Sequence, residues 1–138
     1  MGKREDFPAA DDEDGFWDRD GLDVEEYWRD RVVVVAVSGT VDMLTAAQLS
    51  EAIGVAASQL PAGVVVDLSK VDFLASVGMS VLVAAHEEVT PTARFGVVAE
   101  GPVTRRPISL LGLDQVITLY RTLDDALHDI GGWRVPGE

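Results

Sequence analysis

Ser76, His86, His128, Asp67 and Asp72 are the side chains of this 138-residue chain whose types could carry catalysis. Spacing alone excludes no Ser-His-Asp set, because triads are assembled in space. No Gly-x-Ser-x-Gly elbow, however, surrounds any serine. The two histidines match no metal spacing such as His-x-x-x-His, and no third is available. Cysteine is absent, which removes disulfides, thiol chemistry and thiolate ligands. The 13 glycines are scattered and form neither a phosphate loop nor a dinucleotide fingerprint. Asp67 and Asp72 read as a strand-end acid followed by a turn acid, not as an acid/base pair. On these grounds neither enzymatic activity, nor a metal, nor any other cofactor is expected.

Ser76 stands out by its setting. In the run from Asp67 to Leu82 a strand ends, a turn follows, Phe73 and Leu74 plug into the core, and Ser76 opens a helix. A serine at that point can be an N-cap, accepting the first free backbone N–H groups. It can equally be a phosphorylation site. A helix start offers unpaired donors and a positive dipole end, so a phosphate there sits in a favourable field. The modification would place about two negative charges on a surface that a partner could need.

The elements that hold this serine follow from periodicity. Leu22, Val24 and Trp28 alternate with Asp23, Glu25 and Tyr27, with Glu26 the misfit, a period-2 strand with one wet face. Arg29-Asp30 turns the chain into Val32–Val37, a β-branched run suited to a central strand buried on both sides. Residues 38–42 read as a loop, with Thr45 a helix cap before a helix to about Gln59. That helix carries Leu49, Ala52, Ile53, Ala56 and Leu60 as its apolar stripe. Val64–Leu68 is a second buried strand, and residues 69–74 connect it to a helix over 76–88. Its inner stripe is Gly78, Val81, Leu82 and Ala85. A strand over 94–99 follows, then a short helix capped by Thr104 and stopped by Gly112. A last strand spans 116–120, and Thr122 caps a final helix. The order β-β-α-β-α-β-α-β-α predicts an α/β domain with a mostly parallel or mixed sheet covered by helices.

Residues 22–131 thus form one domain, a size that can close a single core. Met1 to Gly21 is an acidic extension that reads as a flexible tail, with Phe16 and Trp17 as aromatics able to dock on the domain or a second copy. Residues 132–138 form a short tail containing Trp133. The net charge of −13 repels phosphate backbones and anionic lipid heads, so direct nucleic-acid or membrane binding is not expected. Much of it lies in the first thirty residues, leaving the remainder closer to neutral. No window approaches the roughly 18 apolar residues of a membrane span. No signal peptide is visible, which makes the cytoplasm the default.

The segment around Ser76 resembles the signature of the STAS family, in particular its anti-sigma factor antagonists. Asp67-Leu68-Ser69, Phe73-Leu74, Ser76 and Gly78-Met79 match a pattern of Asp-Leu-Ser, a turn, an apolar pair, the acceptor and Gly-Leu. Ser38-Gly39-Thr40-Val41-Asp42 resembles the family's Gly-x-Leu-Asp loop. Residues 105–114, Arg-Arg-Pro-Ile-Ser-Leu-Leu-Gly-Leu-Asp, resemble its Arg-rich third helix, and Asp124-Asp125-Ala126-Leu127 its last. The likeness spans Leu22 to Ile130 in order and implies a sheet of about five strands and four helices opening with a hairpin.

The resemblance implies a stress-response regulator that binds an anti-sigma factor, itself a serine kinase, and so releases a sigma factor. Phosphorylation of Ser76 would free the kinase and a phosphatase would reset the switch. Asp42, Ala75, Ser76, Val77, Gly78 and Met79 would form the docking face, with Gly78 keeping the backbone beside the acceptor unobstructed. Two positions depart from the pattern. Ala75 replaces the acidic residue before the acceptor, and Val77 replaces a Ser or Thr after it. Ser80, one turn along, is a weaker acceptor. Two other readings are a STAS interaction or sensing module without phospho-control, and hydrolysis through Ser76 and His86.

Overall fold

The structure is a computed structural model and describes residues 21–131. The expectations for the acidic extension, for Phe16 and Trp17, and for the C-terminal tail lie outside the described residues. Among the described residues five strands form one sheet: β1 (Leu22–Arg29), β2 (Val32–Val41), β3 (Gly63–Leu74), β4 (Arg94–Val98) and β5 (Leu119–Tyr120). Between and after them run α1 (Ala46–Ala57), α2 (Ser76–Val89), α3 (Arg105–Leu110) and α4 (Leu123–Gly131). A 3-10 turn (Leu113–Gln115) follows α3.

The strands lie side by side in chain order, with β1 antiparallel to β2 and the remaining pairs parallel. Parallel neighbours need a crossover, and the helices supply it. Alternation along β2 divides its valines between two cores. Val33, Val35 and Val37 join Leu49, Ile53, Leu82 and Ile108 beneath α1, α2 and α3. Val32 and Val34 join Val65, Ala126 and Ile130 beneath α4. Full burial of each such side chain contributes about 1.5–3 kcal/mol. Glu26, the misfit of β1, faces the end of α1, where it accepts a hydrogen bond from Gln59 Nε2 at 2.8 Å. Asp30 turns the hairpin with φ 58°, in the left-handed region that Asp tolerates.

Three expectations about element ends are corrected. Residues 38–41 and 69–74, read as a loop and a connection, are strand: Ser38 pairs with Lys70, Gly39 with Val71, Thr40 with Phe73 and Val41 with Leu74. Their small and polar residues resemble turn formers, but each segment satisfies the other's backbone groups, and two register shifts absorb the mismatch. Phe73 does not plug into the core. Leu74 turns inward at 5% exposure while Phe73 is 54% exposed, the opposite face that strand alternation dictates. Residues 116–118 precede the last strand, because the N–H groups of Val116 and Ile117 close back on Leu113.

Candidate functional site

The long β2–β3 ladder carries the chain to one edge of the domain, where both strands end together. There the Ala75 N–H donates to the Val41 carbonyl at 2.8 Å, tying the end of β2 to the start of α2. Ala75, in extended conformation (φ −81°, ψ 165°), is the cap residue of α2, and Ser76 is its first helical residue. The cap reading of Ser76 is therefore corrected. A cap must precede the helix with extended backbone, and the residue doing so has no side-chain oxygen to offer. Ser76 and Val77 are exposed. The first N–H groups of a helix have no acceptor within it, and among the described residues no side chain caps the start of α2 and no acid stands in its first turn.

Gly78 and Met79, placed on the docking face by the resemblance, lie inside instead. Met79 is 6% exposed and packs in the larger core. A Cβ on Gly78 would stand 2.5 Å from Val41 Cγ1 and 2.9 Å from Leu74 Cδ1. This glycine lets the helix start press against the two strand ends; its role is close packing beneath the acceptor. Helical periodicity is the reason, since Gly78 and Met79 stand four and three residues before Leu82 and so share its face.

Asp42 sits half-buried at the head of the loop between β2 and α1, with its carboxylate turned to the backbone. Asp42 Oδ1 accepts from Leu44 N–H at 2.9 Å and Thr45 N–H at 3.2 Å. Thr45, expected to cap α1, points its hydroxyl backward. It donates to the Thr40 carbonyl at 2.7 Å and accepts from the Asp42 N–H at 2.9 Å. These bonds lock the loop from both ends. At its tip Met43 and Leu44 are 80% and 90% exposed. Sequence reasoning missed both residues, and Phe73 with them. An apolar pair between a polar loop and a helix was the available signal.

On the other side of Ser76 a groove of about 440 Å³ runs between α2 and the 3-10 turn, lined by Ser76, Met79, Ser80, Val83, Leu111 and Leu113 among others. Ser80 is exposed on this side and its hydroxyl donates to the Ser76 carbonyl at 3.3 Å. The two serines thus share one helix edge.

The catalytic alternatives are not assembled. Ser76 and His86 stand on one helix ten residues apart, about 15 Å at the helical rise, far beyond hydrogen-bond reach. His86 lies half-buried with its ring edge toward Phe95 at 6.1 Å between centroids, and His128 is exposed on α4. Asp67 and Asp72 are separated by roughly 16 Å along β3. Asp67 accepts from the Ser69 N–H at 3.0 Å and Asp72 from the Thr40 hydroxyl at 2.9 Å. Among the described residues no helix is long and apolar enough to cross a membrane.

Known proteins share this fold and much of this sequence. Residues 23–126 match the STAS domain family. The chain is 48% identical over 104 residues to the anti-sigma-F factor antagonist RsfB of Mycobacterium tuberculosis, covering 75% of this chain and 85% of that protein. The crystal structure of an anti-sigma factor antagonist from Mycobacterium paratuberculosis superposes with a TM-score of 0.77 at 49% identity, over 80% of this chain and 95% of that one. The unphosphorylated form of the anti-sigma factor antagonist SpoIIAA shares the fold, with a TM-score of 0.66 at 18% identity over 80% and 97% of the two chains. From its sheet order, its matched residues and these relatives, the chain belongs to the STAS domain family and, within it, to the anti-sigma factor antagonists.

Proposed function

We propose that this chain binds an anti-sigma factor that is also a serine kinase, and that phosphorylation of Ser76 dissolves the complex. Asp42, Ala75, Ser76 and Val77 supply the face, with Gly78 and Met79 holding it up from beneath. The observation that carries the reading is an exposed hydroxyl at the first position of α2 with no capping duty. Such a group can be modified without loss to the fold. The kinase transfers the terminal phosphoryl of ATP to Ser76 Oγ, forming the O–P bond as ADP leaves and the hydroxyl proton passes to a base of the kinase. The product carries about two negative charges beside the helix N-terminus, a field that tolerates anions. A partner seated over Ser76 meets that charge and bulk and lets go. A phosphatase then restores the serine. This traffic belongs in the cytoplasm, where sigma factors and ATP are.

The test is incubation of the chain with the purified anti-sigma-F factor of Mycobacterium tuberculosis and Mg-ATP, followed by mass mapping. One phosphoryl group is expected on Ser76, and Ser76→Asp is expected to stay folded while its complex weakens. A stable complex with Ser76 unmodified would remove the switch and leave a binding module without phospho-control. Ala75 and Val77 favour that second reading, since neither offers the kinase the carboxylate or hydroxyl found beside the acceptor in the family pattern.

A further inference from the structure

Resting on the docking face just described, we propose that the Met43-Leu44 tip and Phe73 are its apolar anchor, and that they seat in an apolar cleft of the anti-sigma factor rimmed by Lys or Arg. Three large apolar side chains stand at 80%, 90% and 54% exposure on the two segments at the paired strand ends, one leading into α1 and the other into Ser76. Thr40 and Val41 pair with Phe73 and Leu74, so the loop and the acceptor leave the sheet side by side.

The tip is exposed yet held. Asp42 Oδ1 takes two backbone N–H groups, and Thr45 Oγ1 bonds both Thr40 and Asp42. A loop held by its own side-chain hydrogen bonds loses less entropy when it docks, which is how a few preorganised apolar residues come to dominate an interface. A methionine beside the leucine adapts to an irregular cleft. The fold gains nothing from presenting Met43 and Leu44 to water, since the buried side chains of that loop are Val41, Thr45 and Ala46.

The charge around the anchor selects the rim of the cleft. Asp42 lies at the foot of the tip, and Asp72, next to Phe73, is exposed. Between residues 21 and 131 fifteen carboxylates face seven Lys or Arg, a net of −8. A cationic rim matches both aspartates and steers the encounter.

Titration calorimetry of the wild type, of a Met43→Ser/Leu44→Ser double variant and of Phe73→Ser against the anti-sigma-F factor of Mycobacterium tuberculosis tests this, with RsfB as the positive control. The double variant is expected to bind about thirty-fold more weakly or worse, with an unchanged melting temperature. Phe73→Ser is expected to lose about ten-fold, and added salt to weaken the wild type. Wild-type binding that the double variant retains in full overturns the anchor while leaving the proposed function standing. A wild type that fails to bind where RsfB binds overturns both.

Discussion

Helix α4 begins beneath a side chain and ends beneath another, whereas α2 begins beneath none. Thr122 Oγ1 accepts from the Asp125 N–H at 3.0 Å, and Asp124 and Asp125 stand in the first turn of α4, where the dipole favours them. At its far end Arg94 Nη1 donates to the Asp129 carbonyl at 2.9 Å, and the Tyr120 hydroxyl donates to the Asp129 carboxylate. The first turn of α2 has an alanine for a cap, no acid, and exposed side chains at Ser76 and Val77. Its anchorage comes from the buried stripe Gly78, Met79, Leu82, Ala85 and Val89, and from Thr90, whose hydroxyl bonds the His86 carbonyl. One helix spends its terminal polar groups on holding itself in place. The other leaves them available, and on the proposed reading a partner and a kinase use them.

The contrast can be broken most forcefully at Ile130, which is 1% exposed and seats α4 on the sheet. Ile130→Ala should lower stability by about 2–5 kcal/mol in urea unfolding. Partner affinity of the molecules still folded should not change, and a matched loss of affinity would show that the two helices are not independent. A smaller effect comes from exchanging the two hydroxyls. Thr122→Ala should cost about 1 kcal/mol as a lost cap. Ser76→Ala should stay within about 0.5 kcal/mol. Equal losses in the two unfolding curves would mean that Ser76 is structural after all.

The smallest effect is one of pH. Burial, then the hydrogen bond to Asp129 and its charge, raise the Tyr120 hydroxyl above its ordinary 10.0, with Arg94 opposing. The unfolded chain therefore surrenders this proton first as the solution becomes alkaline. The contribution is intact below that ordinary value and is lost as pH climbs beyond it. Melting temperatures measured at about pH 9 and about pH 11 should fall further for the wild type than for Tyr120→Phe. A parallel fall would place the alkaline sensitivity elsewhere.

Local pattern determined a good deal of this protein. The doubly buried run Val32–Val37, the hairpin before it, the stripe of α2 and the stop at Gly112 are all legible within windows of a few residues, as is the stripe of α1 through Ala56; Leu60, read as its last member, lies beyond the helix end at Ala57 and is exposed. Gly112 indeed has φ 75°, the left-handed geometry its position requires. The start of α2 at Ser76 was legible for the same reason, since helical spacing begins there. What lay beyond that window depended on partners about thirty residues away. Ser38–Val41 and Ser69–Leu74 became strand only because each completes the other's hydrogen bonding, and the register shifts between them set which side chains face out. Tertiary pairing thus carried the strand through Phe73 and turned that side chain to solvent. The Thr45 hydroxyl, by contrast, turns back onto the loop that presents Met43 and Leu44 through bonds only three and five residues away. Periodicity tells which residues share a face; only the packed neighbour decides whether that face is covered.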